Sequence, residues 1–195
     1  MLCLAACGQK DTTVAKPVIY LYPEETAEVS VSLDFDGTLT CTYPAYEDGW
    51  QVTARPDGTL TDSRGQQYNY LYWEGQQDAA FDLTRGTLVE GTDSATFLEE
   101  TLSALGLTPR EANEFIVYWL PRLESSPYNL ISFQGADYSD HARLTVTPAP
   151  DTVIRVFMAY CPLEAPLEIS PQQFDAPPAR SGFTLVEWGG AEVEN

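Results

Sequence analysis

VSVSLDFDGTLTCTY, residues 29–43, is the stretch whose reading decides how this chain folds. Val29, Val31, Leu33 and Phe35 alternate with Ser30, Ser32 and Asp34. A period of two is the pattern of a strand with one face buried. Beyond Asp36-Gly37, Leu39, Cys41 and Tyr43 alternate with Thr38, Thr40 and Thr42. A two-residue loop would pair Phe35 with Thr38 and send the apolar sets to opposite faces. A three-residue loop, Phe35-Asp36-Gly37, pairs Leu33 with Leu39 and Val31 with Cys41. It keeps one apolar face and calls for Gly37 in the left-handed conformation. The stretch is therefore expected to be a hairpin with Asp34 on its solvent face.

The same device recurs downstream. Trp50, Val52 and Ala54 share a face, and a Pro56-Asp57-Gly58 loop pairs Ala54 with Leu60. The string DGTLT stands at both corners, 36–40 and 57–61. Upstream, VIYLY at 18–22 is apolar throughout and flanked by Pro17 and Pro23, as in a strand covered on both faces. QYNYLYW at 67–73 puts Tyr68, Tyr70 and Tyr72 on one side of a strand, with Leu71 and Trp73 on the other. Residues 17–75 thus read as an antiparallel β-meander or sandwich.

The pattern then changes. Phe97, Leu98, Thr101, Leu102 and Leu105 lie on one face of a helix that starts at Ser94 and stops at Gly106. Thr108-Pro109-Arg110-Glu111 is a capping box with proline at the first helical position. The helix it opens is expected to turn Ala112, Phe115, Ile116 and Trp119 inward and to end near Leu120, closed by Pro121. Two helices so joined form an αα-hairpin. Strand patterns flank it at 87–89, 129–134, 144–147, 152–161 and 182–188. The proline-rich run 162–180 should pass over the surface, and Gly189-Gly190 should precede a fraying acidic tail, 191–195. The expected fold class is α+β: an antiparallel β-meander or sandwich in the first half, the αα-hairpin, then further antiparallel strands. Residues 17–190 are expected to form one domain, with β-rich 17–75 and α+β 76–190 as the alternative division.

Charge narrows the function. There are 29 acidic residues against 10 basic, a formal charge of -19. That field repels nucleic-acid phosphates, so no nucleic-acid partner is expected. The acids are scattered, as a solubilising surface requires. His141 is the one histidine, and lysine occurs only at Lys10 and Lys16. A histidine-rich zinc site, HExxH and a P-loop lysine in the body of the chain are excluded, and no cofactor or metal is expected.

The N-terminus reads as an address. LAAC at 4–7 resembles the bacterial lipobox, whose cysteine becomes lipidated; here that residue is Cys7. Only six residues precede it. A signal peptide needs a charged region and roughly 7–15 apolar residues, so a start further upstream is expected. Residues 1–16 then form a signal remnant and tether, and the membrane is met through the lipid alone. Cys41 and Cys161 would remain in an oxidising compartment, and are expected as two small buried hydrophobes rather than a bridge.

Two constellations carry possible chemistry. DFDGTLT matches the nucleophile loop of haloacid-dehalogenase-type phosphatases, with Asp34 as nucleophile, Asp36 as general acid/base and Mg²⁺ on the phosphate. Against it, the strand alternates where that family's buried parallel strand would be apolar throughout. No lysine follows Lys16, and no alternating helix–strand run follows the motif. At the second DGTLT, Arg55 stands where the nucleophile would be. Glu74 in YLYWEG and Glu187 in VEWGG are carboxylates beside aromatic rings, as a glycosidase pair would be. The plainer reading makes Trp73 and Trp188 core and the glutamates surface residues at strand ends. His141, in DYSDHAR, reads as part of a surface turn.

KPVIYLYP (16–23), TYP…GW (42–50), ARPDGTL (54–60), YLYWEG (70–75), EFIVYWLP (114–121) and GFTLVEWGG (182–190) together resemble a group of uncharacterised bacterial lipoproteins, mostly from anaerobic Gram-positive bacteria. The resemblance spans residues 16–190 and fits the lipobox. It implies a lipid-anchored, extracytoplasmic location and no particular activity. The expectation is a non-catalytic cell-surface lipoprotein that binds an extracellular ligand or an envelope protein. The alternative is an extracytoplasmic hydrolase acting through Glu74 and Glu187 or, less favoured, through Asp34 and Asp36.

Overall fold

The computed structural model describes residues 12–78 and 80–194. In chain order the elements are β1 (Thr12–Tyr22), β2 (Ala27–Phe35), β3 (Thr38–Tyr43), β4 (Trp50–Ala54), β5 (Leu60–Thr61), β6 (Gln67–Tyr68), β7 (Leu71–Gln77) and β8 (Thr87–Glu90). Then come α1 (Ser94–Ala104), α2 (Pro109–Leu123), β9 (Tyr128–Gln134), α3 (Ala136–His141), β10 (Ala142–Thr147), β11 (Thr152–Leu163) and β12 (Thr184–Glu192). A seven-stranded sheet has the order β3-β7-β1-β12-β11-β9-β8, and a five-stranded sheet the order β10-β2-β4-β5-β6. The architecture is α+β but mostly β, largely antiparallel, with one short helix pair.

The large sheet is the middle of three layers. The small sheet packs on one face, where Ile19, Leu21, Val31, Trp50, Leu71 and Trp73 share a core. The helices pack on the other, where Val18, Tyr20, Leu98, Phe115, Trp119 and Trp188 share a second core. Successive residues of β1 therefore enter different cores, which is why VIYLY has no polar position.

Residues 29–43 do not form a hairpin. β2 pairs with β4 and β10, whereas β3 pairs with β7 in the other sheet. The chain changes sheets at Asp36-Gly37. Leu33 faces Leu144 and Val31 faces Trp50 and Val146, while Leu39 faces Gly75. Gly37 is not left-handed. A Cβ on it would run into the Gln76 carbonyl oxygen and the Phe35 ring, so what this corner needs is the absence of a side chain. The alternation is the same whether the next strand pairs alongside or joins the facing sheet, because both bury one face. Asp34 does lie on the solvent side, opposite the buried Leu33.

The second corner follows the expectation. Ala54 pairs with Leu60, and Gly58 has φ +86°. QYNYLYW, by contrast, is divided between β6 in the small sheet and β7 in the large one.

The helix pair forms as expected. The Glu111 N–H donates to Thr108 Oγ1 at 3.4 Å, and the Thr108 N–H donates to Glu111 Oε2 at 2.7 Å. α2 runs through Pro121 to Leu123 instead of stopping at Leu120. Pro121 is exposed, and the carbonyl it leaves unpaired belongs to Val117, itself 67% exposed, so water can take the missing bond.

Four further expectations are corrected. β12 runs parallel to β11; the long connection between them, residues 164–183, makes that crossover possible. β12 also continues through Gly189 and Gly190 to Glu192. A Cβ on Gly190 would meet the Trp119 ring at 2.7 Å, so the glycine admits the helix indole onto the strand. β1 begins at Thr12, within the expected tether, and passes a bulge at Lys16, where φ is +59°. Cys161 is buried but Cys41 is exposed, and neither forms a disulfide. Among the described residues, no helix is long and apolar enough to cross a membrane.

Candidate functional site

Asp34 and Asp36 converge on an arginine. Arg143 Nη2 lies 2.9 Å from Asp34 Oδ2 and 3.2 Å from Asp36 Oδ1, and His141 Nδ1 lies 3.1 Å from Asp36 Oδ2. Arg143 also donates to the Asp140 carbonyl. The His141 contact, and then Arg143, hold the Asp36 carboxyl below its ordinary pKa. All four side chains are solvent-exposed on the outer edge of the small sheet. The guanidinium sits between the two carboxylates and ties the end of β2 to β10, an arrangement of surface ion pairs rather than a phosphate cradle.

Glu74 and Glu187 point to opposite faces of the large sheet. Glu187 is 1% exposed in the inter-sheet core. Its Oε2 accepts from Arg155 Nε at 2.6 Å and its Oε1 from Trp73 Nε1 at 3.3 Å. Arg155 also donates to the Ala142 carbonyl at 2.7 Å and lies over the Tyr138 ring, 4.8 Å from its centroid. Burial works to lower the Arg155 pKa, but Glu187 and Tyr138 outweigh it and hold the guanidinium more firmly protonated. Glu74 follows the inward-facing Trp73 and so turns outward, toward the helix side, where Oε1 accepts the Lys16 backbone N–H at 3.2 Å. The Lys16 ammonium lies 5.1–5.7 Å from the ring centroids of Tyr70, Tyr72 and Tyr118. Trp73 and Trp188 are fully buried. The two glutamates cannot act on one bond. An arginine inside the apolar run TVIRVFMAYC and a glutamate inside LVEW were signals for a buried pair, since each needs a partner when buried.

A groove of about 650 Å³ lies at the free edge of β9. β8 stops pairing with β9 at Ile131, which leaves Ser132–Gln134 without a strand neighbour on that side. The Gln172 amide takes the neighbour's place. Its Oε1 accepts the Phe133 N–H at 2.8 Å and its Nε2 donates to the Phe133 carbonyl at 2.5 Å. Gln134 clamps the opposite wall, accepting the Asp82 N–H at 3.1 Å and donating to the Asp82 carbonyl at 2.9 Å. Both amides are thus spent on the walls.

Two charged groups remain available to the groove. The Thr84 N–H and hydroxyl donate to Asp82 Oδ1 at 2.8 and 2.6 Å, which lowers the Asp82 pKa and keeps it ionised. Its Oδ2 carries no such bond among the described residues. Beside it, the Arg85 guanidinium has no hydrogen bond or ion pair among the described residues. Ser170 and Gln173 add a hydroxyl and an amide, and Phe174, 39% exposed, packs edge-on to Phe133. The groove lay outside the sequence reading. Its walls come from a polar loop and from the proline-rich run, neither of which carries a motif.

Fold and groove together define a β-rich α+β protein with a polar, charge-balanced cavity. Part of the chain is similar to a Butyrivibrio fibrisolvens protein described as an uncharacterized protein in the bglA 3' region, with 52% identity over 63 residues. The match covers 31% of this chain and 65% of that relative, just under two thirds of its length. No family model matches the chain, and no solved structure matches it.

Proposed function

We propose that the protein is a non-catalytic binding protein of the bacterial cell surface, lipid-anchored through Cys7, and that its groove takes a neutral, hydroxyl-rich ligand of the carbohydrate class. The observation that carries this reading is the pairing of an ionised acceptor, Asp82, with an unengaged donor, Arg85, in a cavity of ligand size. Adjacent sugar hydroxyls both donate and accept, so they satisfy a carboxylate and a guanidinium side by side without adding charge. An anionic ligand would meet the field of a chain at -19. The location rests on the LAAC motif and the lipoprotein resemblance; Cys7 lies outside the described residues. A hydrolase acting through Glu74 and Glu187, or through Asp34 and Asp36, lacks comparable support, because one pair is divided by a sheet and the other is bound to Arg143.

Affinity electrophoresis tests the ligand class. The full chain carrying Cys3→Ser and Cys7→Ser is run through gels containing neutral or acidic polysaccharides. Retardation by a neutral polysaccharide is expected, with affinity falling roughly tenfold or more in Asp82→Asn/Arg85→Gln, which removes two charged hydrogen-bonding groups. No retardation, or retardation unchanged in the double variant, overturns the reading. Globomycin-sensitive processing and a lipid on Cys7 test the location; a cytoplasmic product with Cys7 unmodified overturns it.

A further inference from the structure

We propose that β3 is a dimerisation edge, pairing antiparallel with β3 of a second copy about a two-fold axis near Cys41. Sheet edges carry unpaired N–H and C=O groups, and folded proteins shorten, cover or charge them. Three of the four edges here are managed. β6 has two residues. β8 has four, and residues 170–172 lie along its N-terminal approach, through a Gly86 N–H to Ser170 carbonyl bond of 3.0 Å and the Gln172 contacts. β10 carries Arg143, held by Asp34 and Asp36. β3 is neither short, covered nor charged, and its one irregularity is a bulge between Leu39 and Cys41 in its pairing with β7. Its six residues, TLTCTY, include no charge, proline or glycine. Apart from β7, no described segment forms a backbone ladder with it.

Charge selects the occupant. Two chains at -19 repel except where they meet on an uncharged strip or bring opposite charges together. β3 is that strip, and its ends differ. At one end Tyr43, 59% exposed, packs edge-on to Tyr68, and both line a hollow with Arg64, whose side chain is 77% exposed beside its partner Asp62. At the other end are Asp34 and Asp36, 73% and 47% exposed. Antiparallel pairing sets each tyrosine–arginine end against the partner's aspartate end, twice over, as an isologous interface requires. Tyrosine and arginine are also the residue types that anchor interfaces. Parallel pairing would set like ends together.

The test uses the full chain with Cys3→Ser and Cys7→Ser, so that Cys41 is the reactive thiol while Cys161 stays buried. Sedimentation equilibrium from micromolar to sub-millimolar concentration should show twice the 21.6 kDa chain mass. A short bis-maleimide should join two copies through Cys41, because residues opposed across an antiparallel pair have Cβ atoms roughly 4.5–5.5 Å apart. Thr40→Lys charges the edge at an exposed position. It should abolish both the dimer and the cross-link while the thermal melt by circular dichroism stays unchanged. A monomer at every concentration overturns the proposal. So does a dimer that survives Thr40→Lys, or one that cannot be linked through Cys41.

Discussion

The pentapeptide DGTLT builds two different corners in this molecule. At 57–61 it closes a hairpin: Gly58 has φ +86°, the Arg55 N–H reaches the Thr59 carbonyl at 3.0 Å, and Asp57 Oδ1 accepts the Thr59 N–H at 2.9 Å. At 36–40 it carries the chain from one sheet to the other. Gly37 is not left-handed, and Asp36 turns outward to His141 and Arg143. The difference lies in what precedes the string. Pro56 presets a turn before Asp57-Gly58. Phe35 instead anchors the 36–40 corner in the core, edge-on to Trp73 at 4.9 Å between ring centroids. Gly58 is needed for its left-handed backbone, with the Tyr22 ring also close to where a Cβ would stand, whereas Gly37 is needed for its lack of a side chain alone.

Substitution should separate those two needs. The largest effect is expected for Gly37→Ala, where the new Cβ meets a backbone carbonyl that cannot swing aside; urea denaturation should show a loss of about 3 kcal/mol, the upper end for overpacking. Gly58→Ala should lose about 1–2 kcal/mol, from the left-handed backbone and from a Cβ that meets the movable edge of the Tyr22 ring at 2.7 Å. Gly58→Asn should recover part of that loss, since asparagine tolerates this conformation, whereas Gly37→Asn should be no better than Gly37→Ala. If asparagine rescues Gly37 instead, the distinction between the corners is wrong.

The smallest effect concerns acid. Asp57, through its bonds to Thr59, and Asp36, chiefly through His141, both have lowered pKa values in the folded chain. A carboxyl lowered on folding adds stability above its unfolded pKa, and that stability is lost as pH falls through the folded value. Asp36→Asn and Asp57→Asn should each flatten the decline of stability below about pH 4, followed by urea midpoints across that range. His141→Ala should flatten it at the first corner alone.

Local order was legible where a residue's neighbours in sequence are also its neighbours in space. The capping box at Thr108–Glu111 and the turn at Pro56–Gly58 are such cases. Strand existence was legible too, because burial of one face imposes a period of two. A strand's partner was not, since alternation reads the same for a hairpin and for a change of sheet; residues 29–43 and 67–73 both show this. Gly189-Gly190 looks like the lead-in to a fraying tail, but in the fold the pair makes room for Trp119 and Pro17. The groove was invisible for a topological reason. Asp82, Phe133 and Gln172 meet because one strand outlasts its neighbour, and no local spacing records that.

β1 gives the fold a mechanical axis. It is paired with β7 on one side and β12 on the other, and its eleven residues span roughly 35 Å. The chain on the N-terminal side of Thr12 leads straight into it. A pull from that side, resisted at the far end of the molecule, loads both hydrogen-bond ladders along the strand, so their bonds share the force and must yield together. A strand entering from a sheet edge and pulled crosswise would unzip one bond at a time. The chain thus meets any load on its N-terminal side with a strand laddered on both sides.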